Sequence, residues 1–291
     1  MLLVIGLGYS GRAAAIAAAA AGERVIGTMR DPARAAPPPG VAVTGFTGAA
    51  DAIGQARRVL VTAAPGEDGD PAIAAHRGAI DAALAAGTLR WVGYLSTTGV
   101  YGDRGGGAVD EATPPAPGQD RSRRRLAAEQ AWRDLVAGRA ALDIFRVGGI
   151  YGPGRSPFDD LRAGTARRVV KPGHAFSRIH RDDIALAVVA AMAQDGAPRE
   201  RVLHLVDDEA AESAVVTEHA ARLMGAAPPP AIPFEEARAR MSPMALSFWA
   251  ENRRVDNAAT KRALGIAWRY PTYREGLAGI LEQERREGFA Q

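Results

Sequence analysis

The sequence of 291 residues contains no cysteine, and Lys171 and Lys261 are the only lysines among its 36 basic residues. The absence of cysteine excludes disulfides, zinc ribbons and thiol catalysis, and it is typical of a protein of the reducing cytoplasm. Nearly every cation is an arginine, which essentially never gives up its proton. Any redox chemistry therefore has to come from a bound cofactor.

Long apolar runs and a strong charge imbalance are also absent. No stretch approaches the roughly 18–20 uncharged apolar residues of a membrane span, and the apolar residues 2–5 predict a buried strand rather than a signal peptide. The 36 basic and 33 acidic side chains leave a formal net charge of only +3. We therefore expect neither a membrane nor a nucleic acid as partner.

The most basic run, residues 121–125, has three interpretations. A nucleic-acid patch would be expected to carry interleaved aromatic residues, and none is present here. A helix that begins at a cofactor cleft, with arginines facing an anionic cofactor or substrate, is the better motivated interpretation. For Arg123 and Arg124, a solvated helix face remains the alternative.

Short apolar runs separated by helix-length segments predict the fold. A composition of 47% hydrophobic residues supplies a sizeable core. Strands that alternate with helices indicate parallel βαβ units. We therefore predict an α/β protein with a Rossmann-type doubly wound parallel sheet and a small C-terminal substrate lobe. The predicted strands are residues 2–5, 24–28, 41–43, 58–62, 91–95, 142–147 and 202–205.

The predicted domains are discontinuous along the chain. Residues 1–150 form the NAD(P)-binding Rossmann domain, and residues 179–206 return to it. Residues 151–178 and 207–291 form the small substrate-binding lobe. Phe248, Trp249 and Trp268 lie in this lobe with several arginines, a composition that suits an amphipathic or anionic ligand and suits a core equally well.

A glycine-rich turn directly after the first strand predicts a nucleotide site. A strand, a turn of this kind and a helix place backbone N–H groups and a positive helix end against a pyrophosphate, and the glycines permit close approach. A glycine turn can also be purely structural. The predicted cofactor residues of this turn are Gly6, Gly8, Tyr9, Ser10 and Gly11.

Two further segments define the predicted cofactor cleft. Arg30 follows the second strand, where an arginine accommodates the 2′-phosphate of NADP. NAD is the alternative cofactor, with Arg30 a solvated loop residue and Asp31 the cap of the following turn. Ala63, Ala64 and Pro65 follow the fourth strand and are expected to line the cleft with backbone, while Asp70 is expected to cap the next helix.

Four segments together resemble one family. Besides the first glycine turn, residues 95–103 end the fifth strand, residues 146–154 end the sixth, and residues 178–185 contain a histidine followed by two aspartates at the start of a late helix. In this order they resemble the atypical extended short-chain dehydrogenases/reductases, the NAD(P)-dependent epimerase/dehydratase-like family. The resemblance covers nearly the whole chain.

The resemblance implies roles for particular residues. In the family a Ser or Thr after the fifth strand orients the substrate oxygen, and Thr97 falls at that position. Ser96, the residue before it, is predicted to contact the cofactor. A Tyr-x-x-x-Lys pair on the next helix supplies the proton and holds the nicotinamide ribose. The matching positions here are Arg121 and Arg125, and no Tyr-x-x-x-Lys occurs in the sequence. Arg125 retains donors for the ribose hydroxyls, whereas Arg121 is unsuited to general acid catalysis near neutral pH.

Other titratable groups near the cofactor are candidates for the proton donor. These are Tyr101, Tyr151 and His180, and the first is included with Thr97, Arg121 and Arg125 as a predicted catalytic residue. The two tyrosines lie in Tyr-Gly turns, where packing is the alternative role. Helix capping is the favoured role of His180, and no metal site is expected.

The predicted function is an NAD(P)-dependent oxidoreductase that acts on a carbonyl, an alcohol or a sugar-nucleotide-like substrate. A charged arginine fork in place of the phenol implies an anionic small molecule, or else a clamp on Asp103 or Glu111 that leaves the site silent. Alternatives are a catalytically silent NADP-binding sensor and a sugar-nucleotide epimerase or dehydratase. The family resemblance implies a homodimer through two predicted helices, residues 71–86 and 124–136.

Overall fold

A computed structural model describes residues 1–33, 36–194 and 199–288 of the protein. The end of the predicted lobe, residues 289–291, lies outside this described part. The strands of the described part are β1 Leu2–Ile5, β2 Val25–Met29, β3 Val41–Gly45, β4 Arg58–Val61, β5 Trp91–Thr97, β6 Ala108–Val109, β7 Ala141–Val147, β8 Gly149–Tyr151, β9 Arg168–Val170, β10 Arg178–His180, β11 Glu200–Leu205, β12 Ala231–Pro233 and β13 Arg254–Val255.

The helices connect these strands. They are α1 Tyr9–Ala20, α2 Ala50–Gln55, α3 Pro71–Ala85, α4 Asp120–Val136, α5 Pro157–Arg162, α6 Arg181–Met192, α7 Ser213–Leu223, α8 Phe234–Ala237, α9 Pro243–Trp249, α10 Ala258–Leu264 and α11 Tyr273–Arg286. Predicted and observed boundaries agree to within a few residues. The largest shift is at α4, which begins at Asp120 rather than at the predicted residue 124.

Seven strands form one parallel sheet in the order β11-β7-β5-β4-β1-β2-β3. The central strand β1 is apolar on both faces, and all four of its residues are fully buried. Leu3 pairs with Ile26 on one side and with Val59 on the other. A parallel strand covered on both faces needs this continuous apolar run. The prediction of a Rossmann-type doubly wound sheet is therefore confirmed.

Helices cover both faces of the sheet. One apolar layer contains α1 and α6, and the opposite layer contains α2, α3 and α4. Leu264 of α10 and Trp268 after it also belong to the first of these layers. Part of the chain beyond residue 207 therefore completes the core beside the sheet and does not serve the substrate lobe.

A separate apolar cluster holds the smaller lobe together. It joins Tyr151 and Phe158 to residues of α7 and α11, such as Val216 and Leu277. A two-stranded pair, β12 with β9, and the pair β13 with β6 connect distant parts of the chain at the same end of the sheet. This arrangement places the lobe beside the carboxyl ends of the strands. No helix of the described residues is long and apolar enough to cross a membrane.

Candidate active site

The glycine loop between β1 and α1 has the geometry of a phosphate-binding turn. Gly6 has a φ of +104°, and its N–H donates to Thr28 Oγ1 at 3.0 Å. A Cβ on Gly11 would clash with the Gly6 carbonyl oxygen, whereas a Cβ on Gly8 would meet no atom within 4 Å. No side chain of the described residues caps the N-terminus of α1. The positive end of this helix therefore faces open space that suits a phosphate.

A cavity of about 980 Å³ opens beside this loop at the carboxyl ends of β1, β2 and β4. Phe46 forms part of its wall and packs edge-on against His76, with ring centroids 5.2 Å apart. The cavity is of the size that ligand sites occupy in proteins. Predicted cofactor residues on its wall are Gly6, Gly8, Arg30, Ala63 and Ala64.

A second cavity, of about 630 Å³, adjoins the first, since Ala64 lies on the wall of both. Pro65 and Thr97 line its sheet side, and the start of α4 lines another side. The smaller lobe closes the remainder. The charged side chains on this wall, together with the aromatic ring of Phe248, are Arg121, Arg125, Arg178, Glu251 and Arg253.

Thr97 ends β5 at the boundary of the second cavity. Its Oγ1 accepts the N–H of Gly99 at 3.1 Å, which caps the short 3₁₀ turn of residues 98–101. Accepting this bond fixes the rotamer and leaves the hydroxyl hydrogen to donate elsewhere. Ser122 Oγ also lies beside Gly99. Two hydroxyl groups therefore flank the same point of the cavity wall.

Arg125 and Arg121 both reach the second cavity from the first turns of α4. Arg125 Nη1 donates to the Leu95 carbonyl at 2.8 Å and to the Tyr94 hydroxyl at 3.3 Å, which anchors one end of its guanidinium. Arg121 stacks on Phe248, with the guanidinium carbon 4.0 Å from the ring centroid. Burial lowers the pKa of Arg121, and the Glu251 carboxylate acts in the opposite direction. On this wall the guanidinium of Arg125 is therefore held by hydrogen bonds, whereas that of Arg121 is held by stacking on a ring.

Neither carboxylate that was considered as a clamp for Arg121 contacts it. Asp103 accepts the N–H groups of Gly105 and Asn252, and Glu111 accepts from Thr260. Among the described residues, no ion pair links either carboxylate to Arg121. The clamp on Asp103 or Glu111 is therefore wrong for this structure.

The assignment of Tyr101 as a proton donor needs correction. Its side chain is fully buried, and its hydroxyl lies 2.8 Å from Arg146 Nη1 and 2.5 Å from His204 Nε2. Burial raises the pKa of the Tyr101 phenol. His204 Nδ1 lies 2.7 Å from the Asp256 carbonyl, so Nδ1 carries the hydrogen and Nε2 accepts from the phenol. Tyr101 is therefore a member of a structural network behind the cavity.

Ser96 belongs to the same network and also needs correction. Its hydroxyl donates to Glu129, and the Glu129 carboxylate binds Arg146 through two contacts of 3.2 and 2.8 Å. The Ser96 side chain is buried away from both cavities. We conclude that Ser96 positions the end of β5 and does not contact the cofactor through its side chain.

The remaining tyrosine candidate also turns its phenol away from the cavity. Tyr151 lines the second cavity, but its hydroxyl lies 3.4 Å from the Thr272 carbonyl and against Gly276. Burial raises the pKa of this phenol well above its usual range. A phenol so placed is poorly aimed at a substrate.

Two capping predictions are confirmed. Asp70 Oδ1 accepts the N–H groups of Ala72 at 2.9 Å and Ile73 at 3.1 Å at the start of α3. His180 Nδ1 accepts the Asp182 N–H at 3.2 Å at the start of α6. Burial lowers the pKa of His180 to about 4, so the ring is neutral and suited to accept this bond.

Tyr9 and Ser10 lie in the first turn of α1 without lining either cavity through their side chains. The Tyr9 hydroxyl donates to the Pro153 carbonyl at 3.0 Å, and Arg181 stacks on its ring at 4.9 Å. Ser10 is buried. Their predicted part in cofactor binding therefore rests on their backbone N–H groups.

Several residues of the second cavity were not singled out as site residues from the sequence. Glu251 and Arg253 lie in the loop after α9, and Arg178 lies in β10. No motif surrounds the first two. For Phe248 the sequence did carry a signal, because it lies beside Trp249 in the predicted lobe. This pair suits a ligand-binding surface and an apolar core equally well, so the role of Phe248 stayed open.

No protein-family model matches the chain. The chain is 41% identical to a conserved protein of unknown function from Silicibacter pomeroyi, over 97% of this chain and 98% of that one, with a TM-score of 0.87. It is 32% identical over 216 aligned residues to the 3-diazoavenalumate denitrifying reductase of a Streptomyces species. This match covers 68% of this chain and 67% of that relative.

A third similarity concerns the fold alone. MoeE5, solved in complex with UDP-glucuronic acid and NAD, is 21% identical over 98% of this chain and 99% of its own, with a TM-score of 0.76. These similarities agree with the strand order described above. The chain belongs to the extended short-chain dehydrogenases/reductases, the NAD(P)-dependent epimerase/dehydratase-like family.

Proposed function

We propose that the protein is an NADP(H)-dependent oxidoreductase that acts on a carbonyl or alcohol carbon of an anionic small molecule. The observation that carries this proposal is that the two cavities adjoin at Ala64. One cavity opens on the bare N-terminus of α1, and the other holds Thr97 and the arginines of α4. A similarity to a Streptomyces reductase supports the assignment to oxidoreductases.

Residues of the first cavity account for the cofactor. The backbone N–H groups of the glycine loop and the positive end of α1 would bind the pyrophosphate of the dinucleotide. Arg30, exposed at the end of β2, supplies a charge-assisted donor for a 2′-phosphate. When bound, a nicotinamide cofactor supplies or accepts a hydride.

Residues of the second cavity account for the substrate. The Thr97 hydroxyl, whose oxygen is held by Gly99, is free to donate to a carbonyl or alkoxide oxygen. Arg125 adds positive charge beside it, anchored on Leu95. Donors that are fixed before the reaction stabilise negative charge as it develops on oxygen. Arg121 binds the anionic group of the substrate.

One observation favours a second candidate, a protein that binds NADP(H) without turnover. The phenols of Tyr101 and Tyr151 both point away from the cavity. The family resemblance in addition predicts Arg121 at the position of the catalytic tyrosine. Turnover therefore depends on a proton that none of these groups supplies. Such a sensor would bind NADPH tightly and would not consume it.

Calorimetry of the purified protein tests the cofactor. We expect NADPH to bind more tightly than NADH, and Arg30→Ala to narrow this preference by about 1–3 kcal/mol, the value of a lost charge-assisted bond. Arg24→Ala, an exposed arginine just before the same strand, is the matched control and should leave the preference unchanged. Equal affinity of the native protein for both cofactors would contradict the NADP assignment.

Turnover separates the two candidates. NADPH oxidation is followed at 340 nm with a panel of carbonyl compounds that includes keto acids, aromatic aldehydes and UDP-sugars. Oxidation with an anionic carbonyl supports the oxidoreductase. Tight NADPH binding without oxidation by any member supports the sensor, and interconversion of UDP-sugars without net oxidation supports an epimerase.

A further inference from the structure

The segment after α9 is held rigidly against the mouth of the second cavity. Asn252 makes the contacts: its N–H donates to Asp103 at 2.8 Å, its side-chain amide donates to the Gly173 carbonyl at 2.9 Å, and its carbonyl accepts from Arg104 at 3.0 Å. Glu251 and Arg253 flank this residue. Both side chains are therefore placed on the cavity wall by a backbone that is fixed from two directions.

Arg121 is distinguished from the other cavity arginines by its lack of hydrogen-bond acceptors. Arg178 Nη1 donates to the Phe176 and Ala211 carbonyls, Arg253 Nη1 donates to the Gly102 carbonyl, and Arg125 is anchored on Leu95. Among the described residues, no hydrogen bond or ion pair involves the Arg121 side chain, whose guanidinium stacks on the Phe248 ring. The donors of its guanidinium fork are therefore open to a ligand.

Glu251 carries the complementary feature, an acceptor without a donor. Its side chain is 9% exposed, and Oε2 accepts from Arg253 Nη1 at 2.8 Å. Oε1 is buried and has no hydrogen-bond partner among the described residues. Buried carboxylate oxygens are normally paired, because leaving one without a donor costs free energy. We therefore expect a bound ligand to supply the hydrogen-bond donor for this oxygen.

The open donor and the open acceptor share one wall of the cavity. The Glu251 carboxylate acts on the pKa of Arg121, although the two groups form no ion pair within 4.0 Å. Gly118, just before α4, lies beside Glu251 Oε1, which keeps the carboxylate next to the first turn of this helix. The cavity wall therefore carries the guanidinium of Arg121, which can bind an anion, the carboxylate of Glu251 and the ring of Phe248.

We propose that Arg121 and Glu251 form a two-point specificity site for a substrate that carries an anionic group and, on the same small framework, a protonated amine or a hydroxyl. This inference rests on the proposed function, since it assigns the substrate class of the same cavity. Arg121 binds the anionic group and Glu251 Oε1 accepts the amine or hydroxyl hydrogen. The Phe248 ring provides the flat contact for the framework between them.

Matched probes test the site in the full-length protein saturated with NADP⁺. The 3- and 4-isomers of (aminomethyl)benzoate, (hydroxymethyl)benzoate and ethylbenzoate have nearly equal size and differ in the group offered to Glu251. Calorimetry should show the aminomethyl compound of at least one isomer binding about tenfold or more tightly than its ethyl counterpart. The hydroxymethyl compound should fall between them. The corresponding (aminomethyl)benzamide, which lacks the anion, should bind more weakly than the benzoate.

Variants separate a binding role from a structural one. Glu251→Gln should bring the aminomethyl and ethyl compounds to nearly equal affinity while the ethyl compound keeps its native affinity. Arg121→Gln should remove the preference for benzoate over benzamide. Glu235→Gln, which neutralises an exposed glutamate paired with Arg238 in the same lobe, is the control and should change neither ratio. A merely structural Glu251 would instead weaken all probes equally.

Three results would overturn the inference: equal native affinity for the aminomethyl and ethyl compounds, discrimination that survives Glu251→Gln, or no binding of any probe. The affinity of each variant for NADP(H) alone is measured in the same experiment. If the protein binds NADP(H) and these results appear, the specificity site is wrong and the proposed function stands. If NADP(H) itself fails to bind, the proposed function is wrong.

Discussion

Replacing Glu129 by glutamine tests whether the buried network behind the cavity supports the fold. Glu129 is fully buried and Arg146 is 3% exposed, and two hydrogen bonds join them. Glutamine keeps the shape of the side chain but removes its charge, so Arg146 stays buried as an uncompensated cation. Removing one partner of a buried ion pair costs about 3–5 kcal/mol. We expect the free energy of unfolding to fall by this amount.

Urea unfolding followed by circular dichroism at pH 7.5 measures the loss. The exposed pair Glu282–Arg286 supplies the control, since Glu282→Gln should change stability by less than about 0.5 kcal/mol. The double variant Glu129→Leu with Arg146→Met removes both charges and should lose less stability than Glu129→Gln alone. A loss below about 1 kcal/mol for Glu129→Gln would refute the reasoning, because an uncompensated buried arginine should cost more.

Two further predictions concern pH and assembly. The pKa of His180 is lowered to about 4 in the fold, so the unfolded chain takes up a proton near pH 6.5 that the folded protein takes up only near pH 4. The His180 contribution to stability should therefore fall as pH drops through this window, by up to about 1.4 kcal/mol per pH unit. The raised pKa of Asp183, about 6, acts in the opposite direction over the same range. The stability of the native protein relative to His180→Asn, which keeps a capping acceptor, should therefore decrease as pH drops, as denaturant titrations of both proteins at several pH values measure. The helices α3 and α4 are predicted to pair two chains, so light scattering at high concentration should give a dimer mass, and a monomer mass would contradict this prediction.

Much of the fold could be predicted because its signals are local. The apolar run of β1 and the glycine turn after it occupy adjacent positions, and each reflects a constraint that acts within a few residues: burial on both faces in one case and close backbone approach in the other. The capping roles of Asp70 and His180 were predictable for the same reason. Each side chain accepts a backbone N–H two residues further along the chain.

The errors at the candidate site have a common physical cause. Tyr101 follows Thr97 closely in the sequence, but its phenol is oriented by His204, 103 residues away, and by Arg146, 45 residues away. Glu251 reaches the cavity because Asn252 is bound to Asp103, 149 residues away. Contacts of this range depend on tertiary packing, and no pattern within a short window of sequence reports them.

Arg121, which we predict to stand in place of the family's phenol, would constrain the chemistry that the proposed enzyme can perform. An arginine cannot pass a proton near neutral pH, so the reaction must rely on charge stabilisation where relatives rely on acid catalysis. Thr97 and Arg125 provide fixed donors at the cavity wall for an oxygen that becomes negative. The proton can then be taken from water after hydride transfer. Such a mechanism favours substrates in which the negative charge that develops on oxygen is delocalised over neighbouring atoms. Binding of the substrate's anionic group by Arg121 would hold the reacting carbon next to the donors of Thr97 and Arg125.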